Sequence, residues 1–238
     1  MVVSRMSARE EFSFSVADFC GTSRLFPLPN LVMFPHVQQP LHVFEARYRE
    51  MVEDALAGDR LIAMALLAPG WEVDYEGRPP LCSTACLGRI AAYHRLEGGR
   101  YNLLLQGLCR ARITSELPAE RSFRQAELEL LEDVYPSAGA GERPSLRRQL
   151  IRHFRELLPE GSLAHAPLDE LLKGELPLGM LTDIFAYTID LDGKTKEYLL
   201  GEVDVDQRAA ALIEHLERLC GRQQEAAASK FPPEFSIN

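Results

Sequence analysis

No stretch of this 238-residue sequence approaches the roughly 18 uninterrupted apolar residues that a membrane span needs. The longest apolar run, Leu61 to Ala68, is the length of a strand. The first 19 residues lack the continuous apolar region of a secretory signal, because Arg5, Arg9, Glu10, Glu11 and Asp18 interrupt them. Basic charge is also short: 26 Lys and Arg stand against 35 Asp and Glu, a formal net charge of −9. That balance disfavours broad nucleic-acid binding, which requires a phosphate-neutralising surface. Cysteine is sparse and odd in number. Cys20, Cys82, Cys86, Cys109 and Cys220 suit reduced thiols in a cytoplasmic protein better than a disulfide framework. There is no G-x-x-x-x-G-K-[ST] loop to cradle nucleotide phosphates and no H-E-x-x-H zinc motif among the six histidines.

What is present divides into a β-rich and a helical half. Strand-like runs fall at Arg24–Leu28, Leu61–Leu67, Ala85–Tyr93, Tyr101–Cys109 with an extension through Ile113, and Phe123–Leu130. They are short and separated by Pro, Gly or charge, as in a sheet that closes on itself. Glu97-Gly98-Gly99-Arg100 reads as a hairpin turn. One helix interrupts the strands: Phe44, Tyr48, Met51, Val52, Ala55 and Leu56 recur at spacings of three and four, with Gly58 placed to end it. Glu45 and Arg49, four apart, are set for a pair on its other face.

Residues 135–144, YPSAGAGERP, have linker composition. Beyond them the period is helical. Leu146, Leu150, Ile151, Phe154, Leu157 and Leu158 form one stripe; Pro167–Lys173 reads as a short helix before Gly174; Pro177 can open a third at its first position. Asp204 or Asp206 can cap a last helix, with Gly221 after it. The organisation expected is an arm (1–22), a β-barrel (23–134), the linker (135–144), a helical part (145–222) and a disordered tail (223–238).

The run Leu25 to Val52, LFPLPNLVMFPHVQQPLHVFEARYREMV, resembles the opening of the LON domain, the N-terminal substrate-binding region of ATP-dependent Lon proteases. Its fold signature here is Pro40, His42, Phe44, Glu45, Arg47 and Tyr48. The block Leu87–Ile113 resembles the family's strand–hairpin–strand with a G-x-x-R element, Gly107 to Arg110; Ser122–Asp133 resembles the barrel-closing strand, with Phe123 where the family usually has Tyr; Leu181–Leu216 resembles the helical part. The resemblance implies an α+β fold: a small PUA-like β-barrel with one inserted helix, followed by a helical bundle. It implies a non-enzymatic module that binds unfolded or client polypeptides, without the ATPase and peptidase domains and without a cofactor. An adaptor role in protein quality control would follow. RNA binding, known for other PUA-like barrels, is the alternative.

Three features invite chemistry. Pro136-Ser137-Ala138-Gly139 matches the nucleophile stretch of Lon-type peptidases, and Lys173 follows. A nucleophile needs a packed scaffold holding its base in reach, so a serine in a linker reads as a decoy for a residual peptidase. Cys82 and Cys86 could offer two thiolates to zinc, but a structural site takes four ligands and neither His94 nor Cys109 has finger-like spacing. Glu45, Arg47 and Tyr48 read as a polar pair and a buried aromatic orienting the helix. For polypeptide contact two segments stand out: the apolar Met33-Phe34-Pro35-His36 and the surface-loop segment with the only tryptophan, Trp71 to Tyr75. Exposed apolar side chains, Met and Trp among them, favour such binding.

Overall fold

Alternation along the first half gives strands that are apolar on one face, and burying that face without leaving open edges requires closure. A computed structural model describes residues 16, 19–75, 77–158, 172 and 176–228, with side chains through 223. These residues fall into two compact units that divide between Leu131 and Glu132.

The first unit holds β1 (Thr22–Leu28), β2 (Gln38–Val43), α1 (Ala46–Ala57), β3 (Leu61–Leu67), β4 (Leu81–Arg95), β5 (Tyr101–Glu116) and β6 (Arg124–Leu131). β1 pairs β3 in parallel, and every other ladder is antiparallel. β6 joins β1 on one side and β5 on the other, so five strands close a barrel. β5 is long enough to serve two partners: residues 101–106 pair with β2 and residues 110–116 with β6. The interior is filled by Leu25, Leu61, Leu87 and Leu128 alternating with Ala63, Ala65, Ala85, Ala111 and Ala126. Mixing large and small side chains is how a narrow barrel fills without voids.

α1 buries Tyr48, Met51, Val52 and Ala55, the stripe its spacing predicts. Phe44 is a correction: it lies before the helix and is 61% exposed. The Glu45–Arg49 pair is another. Glu45 is the helix N-cap residue and its carboxylate turns to Arg47, whereas Arg49 donates to the Gly98 carbonyl at 2.7 Å. Arg24 fastens the end of α1 to β1, with Nε 2.5 Å from Asp54 Oδ2 and Nη1 2.7 Å from Asp59 Oδ1. The Glu97–Gly99 turn joins β4 to β5 with Gly98 and Gly99 both at φ +73°.

The second unit holds α2 (Arg143–Leu157), α3 (Leu178–Thr188), α4 (Gly193–Gly201) and α5 (Val205–Ala228). Phe154 of α2 stacks on Phe185 of α3, with centroids 3.9 Å apart. Arg208 of α5 is 1% exposed and fully engaged: Nη2 lies 2.7 Å from Asp133 Oδ2, Nη1 donates to Glu202 O at 2.7 Å, and Nε donates to Thr182 Oγ1 at 3.2 Å. Asp204 caps α5 by accepting from the backbones of Asp206 and Gln207.

Several expectations are corrected here. Residues 135–144 are not a loose linker: Arg143 bonds Asp206 and the Pro136 carbonyl, and Tyr135 Oη accepts from the Gly179 backbone. Pro177 precedes α3 as its N-cap residue instead of opening it, and Gly221 lies inside α5, which continues to Ala228. All of the Pro167–Lys173 helix except Leu172, most of the 1–22 arm and the end of the 223–238 tail lie outside the described residues.

Candidate functional site

The family-like signature and the Trp71 segment, distant in sequence, meet on the first unit. Trp71–Asp74 forms one short 3-10 turn, entered through Gly70 at φ +90°. That turn delivers Tyr75 to the start of α1, where its hydroxyl donates to Glu45 Oε1 at 3.1 Å. The other oxygen of Glu45 accepts from Arg47 Nε at 3.1 Å and forms an ion pair with Nη2, 3.0 Å away. The Arg47 guanidinium lies 4.7 Å from the Tyr48 ring centre and 5.2 Å from that of Tyr75, within the range of cation–π attraction. Trp71 meets Tyr75 edge to face at 5.5 Å. Burial and the nearby Glu45 carboxylate raise the Tyr75 phenol above its ordinary value, and burial does the same for Tyr48. Both therefore remain neutral hydrogen-bond donors at physiological pH.

Beside this cluster opens a cavity of about 230 Å³ lined by Arg47, Tyr48, Gly77, Arg78, Ser122, Phe123 and Arg124. Arg124 is braced by Glu116, at 2.8 and 2.5 Å, and by the Pro79 carbonyl at 2.7 Å. Ser122 donates to Glu50 at 2.6 Å. The wall thus combines aromatic faces with guanidinium groups, a surface that accepts an apolar side chain and a neighbouring carbonyl or carboxylate together.

The remaining expected residues are elsewhere. Met33 and Phe34 are 1% and 0% exposed and so offer no contact surface; they anchor the loop between β1 and β2. His36 is exposed at φ +67°, held where its backbone donates to Gly107 O at 3.0 Å and Gly107 N donates to Val37 O at 2.8 Å. Gly107 is needed because a Cβ there would collide with the Phe34 carbonyl oxygen. Arg110 is buried in β5. Pro40 and His42 lie on β2, His42 Nδ1 being 2.6 Å from Asn102 Oδ1. Ser137 is exposed in a 3-10 turn ahead of α2, and Lys173 lies outside the described residues. Cys82 and Cys86 are both buried and, among the described residues, belong to no group of three metal-ligating side chains.

Two cavities had no signal in the sequence. One, about 430 Å³, is lined by Gln38, Arg89, Ala91, Gln106 and Leu108 on strands β2, β4 and β5. The other, about 530 Å³, belongs to the second unit and includes Phe154, Leu157, Leu158, Ile189 and Leu219. No described helix is long and apolar enough to cross a membrane.

Comparison with known proteins places these features. A family model described as the ATP-dependent protease La (LON) substrate-binding domain matches residues 22–218. Lon protease 2 of Myxococcus xanthus is 29% identical over 197 residues, covering 82% of this chain and 23% of the relative. Lon protease of Heliobacterium modesticaldum is 27% identical with the same coverages. The chain thus spans about a quarter of the length of these relatives. Among solved structures, a Lon N-terminal domain protein from Xanthomonas campestris superimposes with a TM-score of 0.56 at 21% identity, over 81% of this chain and 97% of the other. The N-terminal domain of a Mycobacterium avium complex Lon protease gives 0.59 at 18%, over 82% and 98%. At such identities they establish the shared fold.

Proposed function

This chain belongs to the LON substrate-binding domain family, and from that premise we propose that it is a non-catalytic module that captures unfolded client polypeptides, serving as an adaptor in protein quality control. The observation that carries the reading is the Glu45–Arg47–Tyr75–Trp71 cluster at the mouth of the arginine-lined cavity. An apolar client side chain packs against Trp71 and Tyr75, while Arg47 and Arg78 meet the backbone carbonyls or a carboxylate of the same segment. Glu45 holds Arg47 and Tyr75 in place before any client arrives. Groups positioned in advance lose less conformational freedom on binding.

Fluorescence anisotropy of a dye-labelled, carboxymethylated unfolded polypeptide, titrated with the protein, tests this. Saturable binding is expected, weakened by Trp71→Ala about 30-fold, the equivalent of ~2 kcal/mol for a central aromatic contact. Absence of saturation, or unaltered affinity in Trp71→Ala and Arg47→Ala together, would remove the site from consideration. A salt-sensitive titration with structured RNA in place of polypeptide binding would instead favour the RNA reading.

A further inference from the structure

Helices α2 and α5 bring a chemically mixed set of side chains together inside the second unit. His153 and Glu156 stand three apart on α2, and Glu217 and Cys220 three apart on α5, so each pair shares one helix face. One ligand atom each from His153, Glu156 and Cys220 falls within 4.8 Å of the other two. His153 and Cys220 are each 7% exposed, whereas the Glu156 side chain is 43% exposed and leaves an approach from solvent. His153 Nδ1 is 3.2 Å from Glu156 Oε2 and the Cys220 thiol lies 3.7 Å from the His153 carbonyl.

We propose that His153, Glu156 and Cys220 bind one divalent transition-metal ion, with zinc the best match. Nitrogen, oxygen and sulfur donors exclude the hard ions calcium and magnesium, which take oxygen ligands. Three protein ligands with an open fourth position is the pattern of an accessible zinc site. Drawing the three atoms to about 2.0–2.3 Å from a shared ion requires small rotations, which the exposed Glu156 can make.

The surrounding groups supply the support such an ion needs. A metal-bound imidazole donates its other ring N–H to a carboxylate, which fixes the tautomer. With Nδ1 on the metal, Nε2–H faces Glu217 Oε1 at 3.3 Å. Arg152 Nη2, 2.9 Å from that nitrogen, turns outward, as its 60% exposed side chain permits. Coordination releases the Cys220 thiol proton to solvent. The Cys220 thiolate and the Glu156 carboxylate then neutralise the ion, and Arg152 offsets Glu217. Occupancy ties α2 to α5, so the ion acts as a clasp on the helical unit.

The test uses the whole chain, stripped with chelator and titrated with Co²⁺. One equivalent should produce a thiolate-to-cobalt charge-transfer band in the near ultraviolet together with the intense visible bands of tetrahedral cobalt, and zinc should displace both. Cys220→Ser should abolish the charge-transfer band, and Glu156→Gln should weaken cobalt binding by at least the 10–100-fold that a supporting carboxylate is worth. Glu217→Gln should weaken it within that 10–100-fold range. Circular dichroism checks that each variant is folded. Because Glu156 and Glu217 are exposed, their variants remain informative if Cys220→Ser fails to fold. A featureless cobalt titration, or a charge-transfer band that survives in folded Cys220→Ser, overturns the assignment. So does cobalt affinity that is unchanged in Glu156→Gln.

Discussion

Replacing Gly107 by Ala tests whether the loop carrying His36 is clamped to β5 by close backbone approach. The added methyl would strike the Phe34 carbonyl oxygen, with the Phe34 carbonyl carbon at 3.1 Å and Pro35 Cα at 3.2 Å. All three are main-chain atoms, so no side chain can swing aside and the loop itself must move. That movement adds overpacking strain of about 1–3 kcal/mol. It also endangers the two hydrogen bonds that pair Gly107 with His36 and Val37, each worth about 1 kcal/mol. The expected loss is about 2–5 kcal/mol. Gly98→Ala is the control: nothing lies within 4 Å of its added Cβ and only its φ of +73° opposes the change, a cost of roughly 1–2 kcal/mol. Urea denaturation followed by the fluorescence of Trp71, the only tryptophan in the chain and part of the first unit, reads both variants. Equal destabilisation by Gly107→Ala and Gly98→Ala would refute the steric argument.

The second unit should be sensitive at one buried cation. Arg208→Met removes the charge facing Asp133 and the fully buried Asp183, 3.6 Å from Arg208 Nε; breaking such an ion pair costs about 3–5 kcal/mol. Helical ellipticity against urea measures it, and a loss below about 1 kcal/mol would mean the aspartates are satisfied without it. Thiol reactivity should also separate two cysteines. Hydrogen bonding by Thr22 holds the exposed Cys20 thiol below its usual value, while burial pushes Cys109 up to about 11. Thiolate is the reactive form, so alkylation at Cys20 should level off as pH rises while alkylation at Cys109 continues to climb towards pH 11. Peptide mapping after timed alkylation gives both profiles, and a Cys109 rate that levels off before Cys20 would contradict the burial argument.

The barrel was legible because β1, β3, β4, β5 and β6 carry a strong apolar pattern, and α1 because Tyr48, Met51, Val52 and Ala55 keep a helical period. β2 escaped notice: Gln38-Gln39-Pro40-Leu41-His42-Val43 pairs on one side alone and buries little beyond Val43, so its composition carries no strand signal. α4 was hidden for a related reason, its nine residues including two glycines and burying three side chains. At the candidate site, composition marked Trp71 and Tyr75 but could not reveal that Tyr75 bonds Glu45, thirty positions away. It also misread Met33 and Phe34, since an apolar loop residue that anchors and one that greets a partner look alike in sequence. His153 and Cys220 are 67 positions apart, and only the packing of α2 on α5 unites them.

β2 borders β5 along residues 38–43 and, among the described residues, has no strand partner on its outer flank. Pro40 stands midway along it, and proline has no amide hydrogen to offer. A foreign strand sliding up to that margin therefore finds its hydrogen-bond ladder missing a rung. This interruption guards against zippering with foreign strands, or with its own copies, into a continuous fibre.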